Sequence, residues 1–301
     1  MTSTSAPMVT IGVPTYNGAR FLESTLEALV AQDLDDHEIV ISDNGSTDDT
    51  ERICRRYESD PRVRYERSYA NRGAAWNYNQ VLEVARGRYF KWAADDDICL
   101  PNFLSSCVAE LERCPEAVLA WPRTVLIDEN DQPFGQFDDA DLDLRDPDPV
   151  ARLAGVLDHR VEWHPVFGVI RTHILRRTAG IGAFVYADIA LLAELAMLGG
   201  FHQVQADLFL RRYHDGRSLV ANPSFEEHAA WYDPSRSAQK AVFPNLSLVR
   251  ELLRRTATAA LPPVDRLRAS GVVMRHWAAP HWRHIGGEVK RALPVVGQQR
   301  R

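Results

Sequence analysis

Cysteine is scarce in this chain: four residues in 301, Cys54, Cys99, Cys107 and Cys114, and none spaced as Cys-x-x-Cys. That excludes a disulfide framework and a zinc ribbon, and predicts reduced, mostly buried thiols. Long apolar runs are missing too. A membrane-spanning helix needs about 18 uninterrupted apolar residues, and the nearest stretch, 189–201, is broken by Glu194. The opening residues MTSTSAPMVTIGV carry no basic region and no clear apolar region of signal-peptide type. A cytoplasmic protein is expected. Excess positive charge is also lacking, since the net charge is -6 and the pI about 5.9, which sets nucleic acid aside as a partner. There is no internal repeat. Residues 129–150, ENDQPFGQFDDADLDLRDPDPV, are acidic and proline-containing without a helical stripe. They do not match the glycine and glutamate positions of an EF-hand loop, and predict a solvated or mobile loop.

What is present is alternation. Strand-like VTIGVP (9–14) leads to helical ARFLESTLEALVAQ, whose Phe21, Leu22, Leu26, Leu29 and Val30 form one stripe. EIVIS (38–42) precedes a helix over TERICRRYE, with Ser46 or Thr47 as cap candidates. VRYER (63–67) is followed by helical AAWNYNQVLEVARG, which Gly87 is expected to close in a C′ role. RYFKWAA (88–94) is a fourth strand, Pro101 is expected to start the next helix, and AVLAWPRTVLID (117–128) closes the half. Strand–helix repetition with short links predicts a parallel sheet covered on both faces, of Rossmann-like α/β class. Ligands of such sheets collect beyond the carboxyl ends of the strands.

That rule makes one triplet informative. Asp95, Asp96 and Asp97 directly follow the fourth strand, on the same rim as Pro14-Thr15-Tyr16-Asn17 and Asp43-Asn44-Gly45. Adjacent carboxylates lower their mutual repulsion by sharing a hard divalent cation, and Mg²⁺ or Mn²⁺ held by one or two of them keeps positions open for phosphate oxygens. A carboxylate at Asp43 can accept the imide N–H of uracil or thymine, and Tyr16 offers a ring for stacking on a base. Asn71-Arg72-Gly73 lets backbone approach a ribose or diphosphate. Each residue also has an ordinary explanation: a turn, a cap or half-buried packing.

Together these residues carry a resemblance. VTIGVPTYNGARFLESTLEALVAQ, EIVISDNGSTDDT and NRGAAWNYNQVLEVARGRYFKWAADDD, in that order and spacing, resemble the N-terminal half of the family 2 glycosyltransferases, over roughly residues 8–215. The resemblance implies a GT-A fold and a nucleotide-sugar donor. It implies that Pro14, Thr15, Tyr16, Asn17, Asp43, Asn71, Gly73, Asp95 and Arg212 face the donor. Asp96, with Asp95 and His214, would hold Mg²⁺ or Mn²⁺, and Asp97 would support the turn or cap a helix. A shifted register would give the two leading roles to Asp95 and Asp97. Asp188 at the head of ADIALLAELAML would be the general base of an inverting transfer, while Trp163 and His164 would line the acceptor cleft. Arg212-Tyr213-His214 with Ser218 would run near the diphosphate. The chain departs from the pattern at Ala94, where an acid is expected, and at Ala187, where a glutamate is.

The expected organisation is a GT-A domain over 1–221, with a nucleotide-sugar half (8–128) and an acceptor half (129–221), then a helical extension over 222–301. The donor is expected to be a UDP- or dTDP-sugar, and the acceptor a glycan, a lipid-linked sugar or a secondary metabolite. From Arg250 onward eleven Lys and Arg face three acids, with Trp277 and Trp282 interleaved. That composition fits a peripheral contact with the inner membrane face or a homodimer contact. Two other readings stay open. A sugar-1-phosphate nucleotidyltransferase would need a glycine-rich triphosphate loop where Thr15 to Arg20 stand, and a catalytically silent scaffold would tolerate Ala94 and Ala187.

Overall fold

The computed structural model describes residues 6–159, 161–237 and 241–298. The first half runs β1 (Val9–Thr15), α1 (Leu22–Val30), β2 (His37–Asp43), α2 (Thr50–Tyr57), β3 (Val63–Arg67), α3 (Ala74–Glu83), β4 (Tyr89–Trp92), β5 (Ile98–Cys99), α4 (Phe103–Arg113) and β6 (Ala117–Ile127). The second half adds β7 (Pro133–Phe137), α5 (Pro149–Asp158), β8 (Val169–Arg171), α6 (Thr172–Leu175), α7 (Ala187–Leu198), β9 (Gly200–Arg212), α8 (Ser218–Ala221) and α9 (Phe225–Tyr232). Three longer helices follow: α10 (Pro244–Thr258), α11 (Pro263–Val272) and α12 (Trp282–Gln298).

One sheet carries the strands in the order β3-β2-β1-β4-β8-β6-β9-β5, with β7 beside β6. The pairs β3–β2, β2–β1 and β1–β4 are parallel, as the alternation predicts. Every residue of β1, β2 and β4 is buried, the signature of strands covered on both faces. Lys91 lies fully buried in β4, its ammonium donating to the carbonyls of Trp92 (3.0 Å) and Phe167 (2.7 Å) above the Phe103 ring. Beyond β4 the sheet becomes mixed, since β8 is antiparallel to both β4 and β6 while β9 runs parallel to β6. Register Thr15↔Asp43 and Gly12↔Trp92 brings the carboxyl ends of β1, β2 and β4 to one rim.

Some local expectations change. The helix expected from Pro101 begins at Phe103. Gly87 does not close α3, which ends at Glu83; a Cβ on Gly87 would lie 2.4 Å from the Thr10 nitrogen, so close backbone approach is what requires glycine. Neither Ser46 nor Thr47 caps α2; Asp48 accepts from the Thr50 N–H and hydroxyl instead. Residues 129–150 are not a free loop. β7 pairs with β6, Leu142 is fully buried, and buried Asp139 accepts from Trp121 Nε1 (3.2 Å) and Gln203 Nε2 (2.7 Å). Two anchors hidden among surface acids hold the segment down. All four cysteines are free and buried.

Helix α7 has apolar residues all round, a pattern that demands cover on every side. It packs against β6, α5 and α10, and Leu191, Leu192 and Leu195 are fully buried. Each such leucine contributes about 1.5–3 kcal/mol relative to exposure. Leu248 and Leu252 of α10, together with Trp277, belong to the same core as Ile189 and Leu192. Buried Arg255 on α10 donates to the Ala190 carbonyl (2.9 Å) and to Glu194 (2.8 Å). Of the two interleaved tryptophans, Trp277 is core and Trp282 is exposed. Among the described residues no helix is long and apolar enough to cross a membrane.

Candidate functional site

A cavity of about 760 Å³ opens at the rim of the sheet. Seven of the residues expected at the site line it: Pro14, Thr15, Tyr16, Asn71, Asp95, Asp96 and Asp188. Trp163, His164 and Ser218 line it as well. Position explains this for the first group. Residues 14–16 leave the end of β1, the acidic turn leaves β4, and Asn71 leads into α3; parallel strands deliver all three loops to one rim. Tyr16 stays 44% exposed, leaving its ring available for stacking.

Asp43 is placed differently. Its side chain has no exposure; Oδ1 accepts from the Ser46 N–H (2.8 Å), and Oδ2 from Tyr65 Oη (2.8 Å) and Arg67 Nε (3.1 Å). It braces the β2 turn, and its neighbour Asn44 reaches the cavity instead. Asn44 donates to Asn71 Oδ1 (3.0 Å) and the Gly73 carbonyl (3.2 Å), and accepts from the Arg72 N–H, locking the two loops together. Gly73 itself does not line the cavity: it adopts φ of 89°, and a Cβ there would lie 2.4 Å from the Tyr232 carbonyl. Asn17, with φ of 54°, turns away to accept from the Thr47 N–H (2.8 Å).

The acidic turn divides its labour. Thr15 Oγ1 donates to Asp95 at 2.5 Å, and burial followed by the neighbouring Asp96 charge raises the Asp95 carboxyl to about 7. Burial pushes Asp96 up as well, but the His214 hydrogen bond and the Arg211 charge outweigh it and hold Asp96 below the usual range. Asp97 points away, bonded to the Arg211 guanidinium and accepting from the Arg212 N–H (3.0 Å). The shifted register, with Asp97 in a leading role, therefore does not fit, and Asp97 caps no helix.

Asp96 Oδ2 and His214 Nε2 stand 3.0 Å apart, an oxygen–nitrogen pair that one divalent ion can bridge while keeping other positions open. The donor set fits a divalent cation as two ligands. The expected trio does not converge, because Thr15 holds Asp95 aside. Among the described residues the His, Cys, Asp and Glu side chains that do converge as three are Glu110, Cys114 and His202. That group is an ion-pair network, since Arg113 and Arg145 also bond Glu110.

Arg212 does not reach the cavity. It is buried, its Nε donates to the Asp96 carbonyl (2.7 Å), and its guanidinium lies over Phe21 and on Asp131. Its strand neighbour Arg211 lines the cavity, because successive side chains of β9 point to opposite faces. Arg217 lines it as well, held by Glu162 (2.8 Å) over the Tyr213 ring. Burial pushes Glu162 up, but hydrogen bonds from His164, Arg217 and Tyr213 hold it far below the usual carboxylate range. Burial lowers His164 to about 4, so it is neutral at pH 7. The Nε atoms of Arg211 and Arg217 and Trp163 Nε1 are buried and have no partner among the described residues. Arg211 and Arg217 were missed as site residues, although each stands within three residues of His214 in sequence.

Asp188 sits on the first turn of α7, where its Oδ1 accepts from the Ile189 N–H (2.9 Å). Burial raises its carboxyl above the ordinary 3.8. Tyr186 precedes it in a left-handed conformation, φ 74°, turning the chain into the helix. Asp95 and Asp96 at one wall and Asp188 at another thus face a single space. Such a site can hold a phosphate-bearing ligand at the Arg211–Arg217–Asp96 end and remove a proton at the Asp188 end.

Comparison with known proteins gives the same outline. A family model described as glycosyl transferase family 2 matches residues 10–179. The chain is 34% identical over 108 residues to chondroitin synthase of Escherichia coli, covering 36% of this chain and 16% of that protein. It is 33% identical over 100 residues to an uncharacterized glycosyltransferase of Rickettsia typhi, covering 33% of this chain and 30% of that one. The matches thus span less than a third of those relatives' length. Among solved structures, S. aureus TarS 1–349 in complex with UDP-GlcNAc superposes with TM-score 0.63 at 16% identity, covering 90% of this chain and 72% of that one. The mannosyltransferase PcManGT from Pyrobaculum calidifontis, in complex with GDP-Man and Mn²⁺, gives 0.54 at 19% identity, covering 99% and 89%. At these identities the likeness establishes the GT-A fold and no more.

Proposed function

The chain belongs to glycosyl transferase family 2, and from that premise we propose that it is an inverting, divalent-metal-dependent enzyme moving a sugar from a UDP- or dTDP-sugar to an acceptor hydroxyl, with Asp188 as general base. The observation that carries the reading is the shared cavity, which Asp95, Asp96, Asp188, Arg211 and Arg217 all line. The base of the nucleotide would stack on Tyr16 against Asn44 and Asn71, with Asp43 and Arg67 fixing that turn from behind. Asp96 and His214 would hold Mg²⁺ or Mn²⁺, and Asp95 would meet the ribose. Bound there, the ion would neutralise charge developing on the leaving diphosphate. TarS in complex with UDP-GlcNAc, and PcManGT in complex with GDP-Man and Mn²⁺, support a nucleotide-sugar donor and a divalent ion by analogy of fold.

The acceptor oxygen attacks the anomeric carbon while the bond from that carbon to the diphosphate oxygen breaks. The hydroxyl proton passes to the Asp188 carboxylate, and the diphosphate leaves with the bonding pair. Arg211 and Arg217 present fixed cationic N–H groups to it, in a cavity walled on one side by apolar rings, where charge–charge interactions exceed their strength in water. A raised carboxyl suits Asp188, because a stronger base takes the proton more completely.

The test is a thermal-shift series with UDP-, dTDP- and GDP-sugars, each with Mg²⁺, Mn²⁺ or EDTA. Stabilisation grows as RT ln(1 + [L]/Kd), so a true donor should raise the melting temperature in a metal-dependent way. No shift with any donor would overturn the reading. A shift with a sugar 1-phosphate plus nucleoside triphosphate alone would favour the nucleotidyltransferase.

A further inference from the structure

Arg211 and Arg217 both line the cavity, and the fold secures them differently. Arg211 extends from β9, and Asp97 grips its guanidinium. Arg217 stands in the connection between β9 and α8, where no strand fixes its backbone. A long side chain on a turn keeps rotamer freedom that a bound ligand would have to quench. Its position must be fixed by side chains.

Glu162 does this. Arg217 Nη2 donates to both Glu162 carboxylate oxygens, at 2.8 and 2.9 Å. The Tyr213 hydroxyl donates to the same carboxylate at 2.8 Å, and the guanidinium carbon of Arg217 stands 3.6 Å from the centre of the Tyr213 ring. The three side chains close a triangle. The carboxylate restrains one edge of the guanidinium and the ring restrains one face.

Glu162 is itself anchored. Its carbonyl oxygen lies 3.0 Å from Nε2 of buried His159, whose Nδ1 is 2.9 Å from Asp141. His164 Nε2 stands 3.3 Å from its carboxylate, and Phe137 packs on the His164 ring at 4.2 Å. Phe134 meets the Tyr213 ring edge-on at 5.7 Å. Phe134, Phe137 and Asp141 all belong to the acidic segment 129–150, which thus braces the arginine from behind. With Arg217, Tyr213 and His164 already on it, the Glu162 carboxylate is a holder rather than a base.

We propose that Glu162 is a positioning residue that fixes Arg217 for the donor's diphosphate. This goes beyond the glycosyl-transfer reading and rests on it. The need for such a residue comes from the cavity's other acids. Asp95, Asp96 and Asp188 line the same space, and an Arg217 released from Glu162 would be drawn to one of them. It would then compete with the cation at Asp96 or mask the base at Asp188. The holding carboxylate also cancels part of the arginine's charge, so positioning and neutralisation predict opposite signs when Glu162 is changed.

The experiment measures binding of UDP, dTDP and GDP to the full chain by calorimetry with Mg²⁺ present. For the tightest of the three, Arg217→Ala should weaken binding about thirtyfold and Glu162→Gln, which keeps size but not charge, about tenfold. The double variant should bind within about threefold of Arg217→Ala alone, because Glu162 acts only through that arginine. Unchanged or tighter binding in Glu162→Gln overturns the proposal, since the carboxylate then does no more than neutralise. Losses that add in the double variant also overturn it, because they reveal a general structural role. Should Glu162→Gln not fold, the double variant removes both members of the ion pair and still decides: binding far weaker than in Arg217→Ala alone overturns the proposal, and equal binding supports it. Each of these failures leaves the transferase reading standing. A wild-type chain that binds none of the three nucleotides overturns that reading and this inference with it.

Discussion

The two sides of the cavity are built by different means. The side proposed for the donor is a set of loops at the ends of parallel strands, and its residues occupy short stretches: 14–16, 44, 71 and 95–96. The side proposed for the acceptor is assembled from Trp163, the head of α7 and one face of α9, spread from Trp163 to Tyr232. The donor loops are cross-braced by hydrogen bonds, Asn44 to Asn71 and Gly73, Thr15 to Asp95, and Asp43 to Ser46, Tyr65 and Arg67. On the opposite side packing dominates, with α7 sandwiched in the core and Tyr232 of α9 packed against that core. On the proposed reading, a braced polar cradle would take the charged donor, and a ring-bearing wall its partner.

Five measurements sharpen or break that division. The largest effect is expected at Asp188. Asp188→Asn should still bind donor but lower transfer about 10³-fold, roughly 4 kcal/mol of barrier, because general-base catalysis commonly contributes that much. A loss under threefold would remove Asp188 from the base role. The same residue sets the pH dependence. Its carboxyl is raised by burial, and only the ionised form accepts a proton, so kcat/KM should fall as pH drops through a value above 3.8. A profile flat down to that value would count against it.

Asp96→Ala is expected next, with about a 10²-fold loss of turnover, near 2.7 kcal/mol, and loss of the metal-dependent thermal shift. Retained metal dependence would place the cation elsewhere. On the packing side, Leu252→Ala deletes a fully buried side chain of α10 and should destabilise the fold by about 2–3 kcal/mol in urea unfolding. A cost below 0.5 kcal/mol would mean that α10 is not part of the core. The smallest effect belongs to Tyr16→Ala, with donor KM raised about fivefold, close to 1 kcal/mol for a half-exposed stacking ring. An unchanged KM would take the base away from that ring.

Legibility in the sequence followed the same division. The acidic turn could be read because Asp95 and Asp96 adjoin a strand end, and strand ends of a parallel sheet share a rim. Direction along a strand was harder. Arg212 was the expected cation, yet Arg211 faces the cavity, and one residue's shift reverses the face. The acids of 129–150 suggested a loose segment, and only the folded chain reveals Leu142 in the core and Asp139 bonded to Trp121 and Gln203.

The sequence by itself determined the alternating α/β architecture, the rim on which Thr15, Tyr16 and the acidic turn lie, and the buried character of α7. These rest on periodicity and on short-range order along the chain. Tertiary structure alone decided that Asp43 is sealed beneath its turn, that Arg211 and Arg217 line the cavity while Arg212 does not, and that the α9 rings share that cavity with Asp188. Those choices depend on which face of an element its distant neighbours cover, and a linear pattern does not encode distance across a fold.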